Sequence, residues 1–300
     1  EVWARARLLV EQQREAPARQ AVTLLESAAA TAQWWSRPEA VLDRGPRQRR
    51  ADELDALALA RLAATDPDRA AARLESGLGA ALPAGAAAWA WGQTARWSAV
   101  QLQTQALERY AIAAALAQRS GAAPVLSDDT WAWQVRAALR GQPTAWVAVQ
   151  QAVDAMGETG RADPTWVYWR ARAELALAPR GAAGDAARAT AQQALEGIAG
   201  RLDFYGKLAA ETLGEPIALP PAAPAPTAEA VAVHAGNAGL ARALRLIALD
   251  LRFEGNREWA WQLRQRSDPE LLAIAEFARQ RGAIDRMIAT SERTRDLFDF

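Results

Sequence analysis

The side chains that could do chemistry in this sequence are carboxylates standing close together: Asp128 with Asp129, and Asp52 with Glu53 and Asp55. General acid–base work needs a carboxylate of displaced pKa in a cleft, with a second group to stabilise the charge that develops. Spacing supplies neither. Asp128 and Asp129 stand directly before TWAWQVRAAL, and Asp52, Glu53 and Asp55 open another apolar-periodic run. Both groups therefore read as helix caps and first-turn charge. The single histidine, His234, has no Ser/Asp arrangement around it and reads as a surface residue. Cysteine is absent, so neither a Cys/His zinc site nor a disulfide can form. No Gly-rich phosphate loop is present. We assign no catalytic residue, no cofactor and no metal ligand.

Tryptophan is abundant, with 13 copies, many in pairs: Trp34-Trp35, Trp89 and Trp91, Trp131 and Trp133, Trp166 and Trp169, Trp259 and Trp261. A sugar-stacking platform is one reading. Residues two apart on a helix point about 200° apart, however, so a Trp-x-Trp pair suits a helix gripped on both sides. Core packing is the preferred reading, with each buried indole N–H needing a carbonyl or carboxylate partner. The stretch DPTWVYWRARAELA shows the logic. Asp163 is a good N-cap and Pro164 a good first helical residue. At about 100° per residue, Trp166, Trp169, Ala173 and Ala176 share one face, while Tyr168, Arg172 and Leu175 lie nearly opposite. The same Asp-Pro opening recurs at Asp66-Pro67 and Asp268-Pro269.

These residues must be carried by helices, since nearly the whole chain to about residue 214 has helical periodicity. Spacing and breakers predict helices over 2–15, 18–32, 49–64, 67–77, 85–96, 98–119, 129–140, 144–157, 164–178, 184–199 and 202–213. Short connections make neighbours antiparallel. The fold expected is all-α: a right-handed α-superhelix of antiparallel hairpins, a TPR-like solenoid, over 1–216, without a strict repeat consensus. The proline-rich 217–230 reads as an extended linker. Beyond it, 231–300 reads as a small helical domain, with helices near 227–234, 237–248, 255–266, 269–281 and 283–292. Charges balance at 35 acidic and 35 basic, which gives no pull toward nucleic acid; the run Arg47 to Arg50 reads as a solvated helix start. No stretch is long and apolar enough for a membrane span, and the opening VWARARLLVEQQ lacks the pattern of a signal peptide, as in a mature or cut fragment.

Several pieces of the sequence resemble the soluble lytic murein transglycosylases. WVYWRARAEL, with Trp166, Tyr168, Trp169, Arg172 and Ala173, is similar to the family's W-x-Y-W-x-A-R-A segment, and DFYGKLAAETLG, with Phe204, Tyr205 and Gly206, to its F-Y-G-x-L-A segment. Upstream, WAWQVRAALRGQPTAWVAVQQAVDAM is similar to the preceding hairpin. Downstream, Arg242, Ala243, Leu246, Glu258 and Trp259 stand where the family's linker domain has R-A-x-x-L and Glu-Trp segments. The likeness covers residues from about 50 to 300. It implies a periplasmic protein with a superhelical domain and a linker domain that position peptidoglycan glycan strands for a lysozyme-like catalytic domain in cis. That domain cleaves the N-acetylmuramic acid to N-acetylglucosamine bond to 1,6-anhydro products. The family's acid is a glutamate in a Glu-Ser pair followed by Gly-Leu-Met-Gln. Glu26-Ser27 and Glu75-Ser76 lack those followers and read as helical surface positions, while RDLFDF resembles the junction to the catalytic domain. This portion is therefore expected to be non-catalytic, with the motif residues serving packing. The rival reading is a helical-repeat scaffold for protein partners.

Overall fold

The computed structural model describes residues 1–25, 33–43, 52–119, 121, 126–217 and 221–297. Among them every regular element is helical. The chain divides into two compact units, Glu1–Ile217 and Ala218–Phe300. Glu26-Ser27, the run from Arg47 to Arg50 and the last three residues of RDLFDF lie outside the described residues.

The first unit opens with α1 (Val2–Glu11), α2 (Glu15–Thr23), α3 (Pro38–Leu42), α4 (Asp52–Thr65) and α5 (Pro67–Arg73). A longer helix, α6 (Ala84–Val100), packs on α4 and is followed by α7 (Ala106–Arg119). α4 buries every residue from Leu54 to Ala60, Asp55 among them, and α6 buries Ala86 to Ala90 likewise. Helices apolar all round lie inside. Their alanines let backbones approach, and Trp34 and Trp89 fill the remaining volume. The indole of Trp89 donates to Glu11 Oε1 at 2.7 Å, while Glu11 Oε2 accepts from the Thr130 hydroxyl at 3.2 Å and Ser127 N–H at 3.3 Å. This buried carboxylate thus ties α1 to two distant segments.

Several boundaries differ from expectation for identifiable reasons. The helix expected over 67–77 ends as α-helix at Arg73, and the chain kinks within Leu74–Leu78, where Ser76 and Gly77 leave helical geometry and Gly77 has φ 95°. The break expected near residue 97 falls instead at 101–105, where Leu102 adopts φ 61°. Arg109 locks that turn by donating to Ser98 Oγ at 2.5 Å and to Gln103 Oε1 at 2.9 Å. Tertiary bonds, not Gly or Pro, set this corner.

Then follow α8 (Asp128–Arg140), α9 (Trp146–Asp154), the single turn α10 (Glu158–Arg161), α11 (Pro164–Leu177), α12 (Asp185–Ala199) and α13 (Phe204–Leu213). α8 packs on α9, α9 on α11, α11 on α12 and α12 on α13, the neighbour-to-neighbour stacking of a solenoid. Asp128 and Asp129 sit in the first turn of α8 behind the N-cap Ser127. Asp128 accepts from Gly157 N–H at 2.8 Å and Asp129 pairs with Arg96 at 2.5 Å, so both have structural work.

The second unit comprises α14 (Ala228–Ala235), α15 (Ala238–Ala248), α16 (Arg252–Gln262), α17 (Asp268–Gln280) and α18 (Ile284–Ser291), preceded by residues 221–227 without regular structure. Val231, Leu240, Trp259, Leu271, Ile274 and Phe277 form its core. His234 corrects the surface reading: α14 packs on α17 and carries the ring inward, leaving it 6% exposed. Burial pushes its pKa down, the Arg266 charge adds to this, and Glu270 opposes. The third Asp-Pro opening also differs from the other two. At Asp66 and Asp163 the aspartate caps its helix, accepting from Arg69 and Thr165 N–H. Before Pro269 the cap is Ser267, in a capping box with Glu270. Asp268 is thereby freed, and its Oδ2 accepts from the backbone N–H groups of Arg295, Asp296 and Leu297 at 2.9, 2.7 and 3.0 Å.

Candidate functional site

The two motifs of the first unit meet in space. α11 starts at Pro164, with Asp163 Oδ1 accepting from Thr165 N–H at 2.8 Å. Its two faces are gripped by different neighbours. Ala173 is buried with Trp131, Val149 and Val153 of α8 and α9, the half-buried Trp166 packs against the same cluster, and the half-buried Trp169 reaches the clusters on both sides. Tyr168 is buried on the opposite side with Leu195, Ile198 and Ala209 of α12 and α13. Ala176, placed by spacing beside Trp169, is exposed.

α13 brings the second motif against that side. Asp203 caps it, Oδ1 accepting from Gly206 N–H at 2.8 Å, while its other oxygen takes Arg201 Nε at 2.6 Å. Burial raises the Asp203 pKa, but these hydrogen bonds outweigh it and hold the carboxyl below its ordinary value. Tyr205 packs half-buried against Tyr168, ring centroids 5.7 Å apart, and accepts the Trp169 indole N–H at 3.3 Å. Phe204 meets only the edge of this contact, its ring T-shaped on Tyr205 with centroids 5.2 Å apart. It is 69% exposed at the first position of α13, while Tyr205, one step on, packs against the cluster of Tyr168, Leu195 and Ile198.

A directed chain of hydrogen bonds crosses this contact. Arg172 donates to Tyr168 Oη at 2.9 Å. The Thr212 hydroxyl spends its proton on the Leu208 carbonyl at 2.7 Å, so at the 3.4 Å contact between the two hydroxyls Tyr168 is the donor. The phenol therefore holds one edge of the guanidinium and is itself held. The rest of Arg172 opens on a cavity of about 680 Å³, whose wall includes Trp146, Tyr168, Leu208, Glu211 and Thr212. Neighbouring Arg170, by contrast, is saturated by Asp154 at 2.7 Å and Glu174 at 2.5 Å. Arg172 makes no ion pair among the described residues. One cation, one rim carboxylate, hydroxyls and an indole can bind a polar ligand; they do not make an acid–base pair of carboxylates.

The remaining motif residues lie in the second unit. Trp259 is buried and donates to Thr290 Oγ1 at 2.9 Å. Glu258 is half-buried and paired with Arg242 at 2.7 Å; bonds from Arg242 and Gln262 hold its pKa below the ordinary value. Ala243 is buried beside Leu240. The core reading of the paired tryptophans fails at Trp261, which is 59% exposed with the Arg264 guanidinium 3.9 Å from its ring centroid. Two residues on from Trp259, it faces solvent. Glu75 and Ser76 are exposed, the serine hydroxyl donating to Arg73 O at 3.0 Å. Among the described residues no cluster of three metal-ligating side chains occurs, and no helix is long and apolar enough to cross a membrane.

Sequence reasoning found Tyr168 and Arg172 but missed Trp146, Glu211 and Thr212. Helical spacing from Tyr205 through Leu208 to Thr212 was a usable signal for the last. Trp146 lies in the segment similar to the family's preceding hairpin, but nothing local places it beside Arg172.

Comparison with known proteins agrees with the resemblance. Residues 235–296 match the family model of the soluble lytic murein transglycosylase L domain. An inactive mutant of the lytic transglycosylase Slt from Pseudomonas aeruginosa superposes with TM-score 0.63 at 22% identity, over 97% of this chain and 46% of that one. The 70-kDa soluble lytic transglycosylase in complex with bulgecin A gives TM-score 0.58 at 18% identity over 97% and 46% of the two chains. Slt70 from Escherichia coli gives 0.58 at 16% identity with the same coverage. These identities establish a shared all-helical fold. The chain spans under half the length of the structures it matches. No curated protein matches it.

Proposed function

The resemblance to the soluble lytic murein transglycosylases thus holds by sequence over residues 235–296 and by fold over 97% of the chain, and from it we propose that these 300 residues are the superhelical and linker portion of such an enzyme. They act in murein turnover in the periplasm. Residues 1–216 form the superhelical domain, 217–230 a tether and 231–300 the linker domain that leads toward a lysozyme-like catalytic domain in cis. The role of this portion is to orient peptidoglycan glycan strands for cleavage of the N-acetylmuramic acid to N-acetylglucosamine bond, with 1,6-anhydro products formed elsewhere in the protein. The observation that carries the reading is the L-domain match over residues 235–296, which supports it by sequence and not by fold alone.

The experiment is to incubate residues 1–300 with purified murein sacculi, assay the soluble fraction by mass spectrometry and measure co-sedimentation at low and high salt. The expected result is co-sedimentation that weakens with salt, since exposed arginine–carboxylate contacts are screened over about 10 Å at 0.1 M ionic strength, and no 1,6-anhydromuropeptides. Release of anhydro products would overturn the non-catalytic assignment. Failure to co-sediment at either salt would move the reading to a helical-repeat scaffold for protein partners.

A further inference from the structure

From the cavity between α9, α11 and α13 we infer that the first unit carries a binding site for a peptide with a free C-terminal carboxylate and a free ammonium group. Arg172 is the centre of the argument. Its guanidinium is half-buried, is held by Tyr168 Oη at 2.9 Å, and makes no ion pair among the described residues. Three other arginines in the unit with little exposure are paired, Arg7 with Glu53 at 2.6 Å, Arg96 with Asp129 at 2.5 Å and Arg109 with Asp68 at 2.5 Å, while Arg61 donates to the neutral Gln13 Oε1 at 2.6 Å and covers the Trp35 ring. A guanidinium that is fixed on one edge and open on the other presents a planar fork, whose geometry fits a carboxylate.

The other walls select among anions. Glu211 lines the same cavity as Arg172 without pairing with it. A dianion such as phosphate would be repelled by that carboxylate, whereas a zwitterion satisfies both ends, carboxylate on Arg172 and ammonium toward Glu211. Trp146 and Leu208 supply apolar wall for the side chains between, and about 680 Å³ leaves room for a short peptide. The bonding direction also matters. Tyr168 gives its proton to Thr212 and accepts from Arg172, so the phenol orients the cation and leaves the fork's remaining N–H groups for the ligand.

This site stands on the cavity alone; under the murein reading its natural occupant is a stem peptide. The test uses simple probes so that the two readings fail separately. Unprotected alanyl-alanine, its C-terminal amide and its N-acetyl form are titrated into the 300-residue chain by calorimetry, with Arg172→Gln, Arg172→Lys and Glu211→Gln alongside. The free dipeptide should bind about 10-fold more tightly than the amide, the size expected for one charge-assisted contact. Arg172→Gln should remove that preference, Arg172→Lys should restore part of it, and Glu211→Gln should remove only the preference over the N-acetyl form. Acid and amide binding equally to the unaltered chain, or no dipeptide binding at millimolar concentration, overturns the site without recourse to any variant. Dipeptide binding without retention on sacculi would keep the site and reject the murein reading.

Discussion

Gly206 separates two physical effects of opposite sign. It lies in the first turn of α13, where glycine costs about 1 kcal/mol relative to alanine, so propensity alone says that Gly206→Ala should stabilise. The structure says otherwise. A Cβ at this position would lie 2.7 Å from Arg201 Cβ and 2.9 Å from the Arg201 carbonyl carbon, with the carbonyl oxygen closer still. The obstacle is backbone, and that backbone is fixed, because Asp203 binds both Arg201 and the Gly206 N–H. Overpacking costs about 1–3 kcal/mol; with a rigid obstacle we take the upper part of that range, which leaves a net loss of about 1–2 kcal/mol after the propensity gain. Gly197 supplies the control. It is exposed in the last turns of α12 and a Cβ there meets nothing within 4 Å, so Gly197→Ala should stabilise by up to about 1 kcal/mol. Both variants are measured by guanidinium unfolding followed by helical circular dichroism. Equal stabilisation by the two alanines would refute the argument, since it would mean that the chain at Arg201 yields freely.

Two further outcomes are expected. Glu11→Gln should cost about 1–3 kcal/mol in the same assay, because an amide N–H₂ would face the Thr130 hydroxyl and Ser127 N–H, leaving buried donors unpaired; an unchanged midpoint would show that the carboxylate is not the tie. Glu270 has its pKa lowered from 4.5 to about 2 by the Ser267 N–H, the Ser267 hydroxyl and Arg266. A depressed carboxylate stabilises the fold fully above its unfolded value and loses that contribution as pH falls through the folded one. The difference in unfolding midpoint between Glu270→Gln and the unaltered chain should therefore be constant above pH 4.5 and shrink toward pH 2, and a gap that persists in acid would point to packing instead of charge.

What the sequence could disclose was whatever local chemistry decides. The start of α11 and its two-sided aromatic faces followed from Asp163, Pro164 and the helical angle. So did the polar partner of the Trp89 indole, although its identity did not: Glu11 is 78 residues away, and the equally buried Trp34 has no hydrogen-bond partner for its N–H among the described residues. The failures share that cause. Leu102 turns the chain with no Gly or Pro to advertise it, because Arg109 and Gln103 stabilise the corner through side chains. His234 is buried by α17, more than 30 residues on in the sequence. Phe204 and Tyr205 are adjacent aromatics whose fates diverge by one helical step. The cavity at Arg172 needs three helices at once, and family-like segments on each of them do not say that they meet.

The grip of Asp268 on residues 295–297 has a mechanical consequence. Three N–H groups converge on one carboxylate oxygen, so a pull on the chain beyond residue 297 does not peel α18 open turn by turn. The load passes sideways into the first turn of α17, the helix on which both α14 and α18 pack. The bonds at Leu297, Asp296 and Arg295 must yield in turn before α18 feels tension. Asp268→Ala would turn this rigid coupling into a hinge while leaving the Ser267–Glu270 cap in place, and the backbone amides of 295–297 would then exchange with solvent independently of the helix that now anchors them.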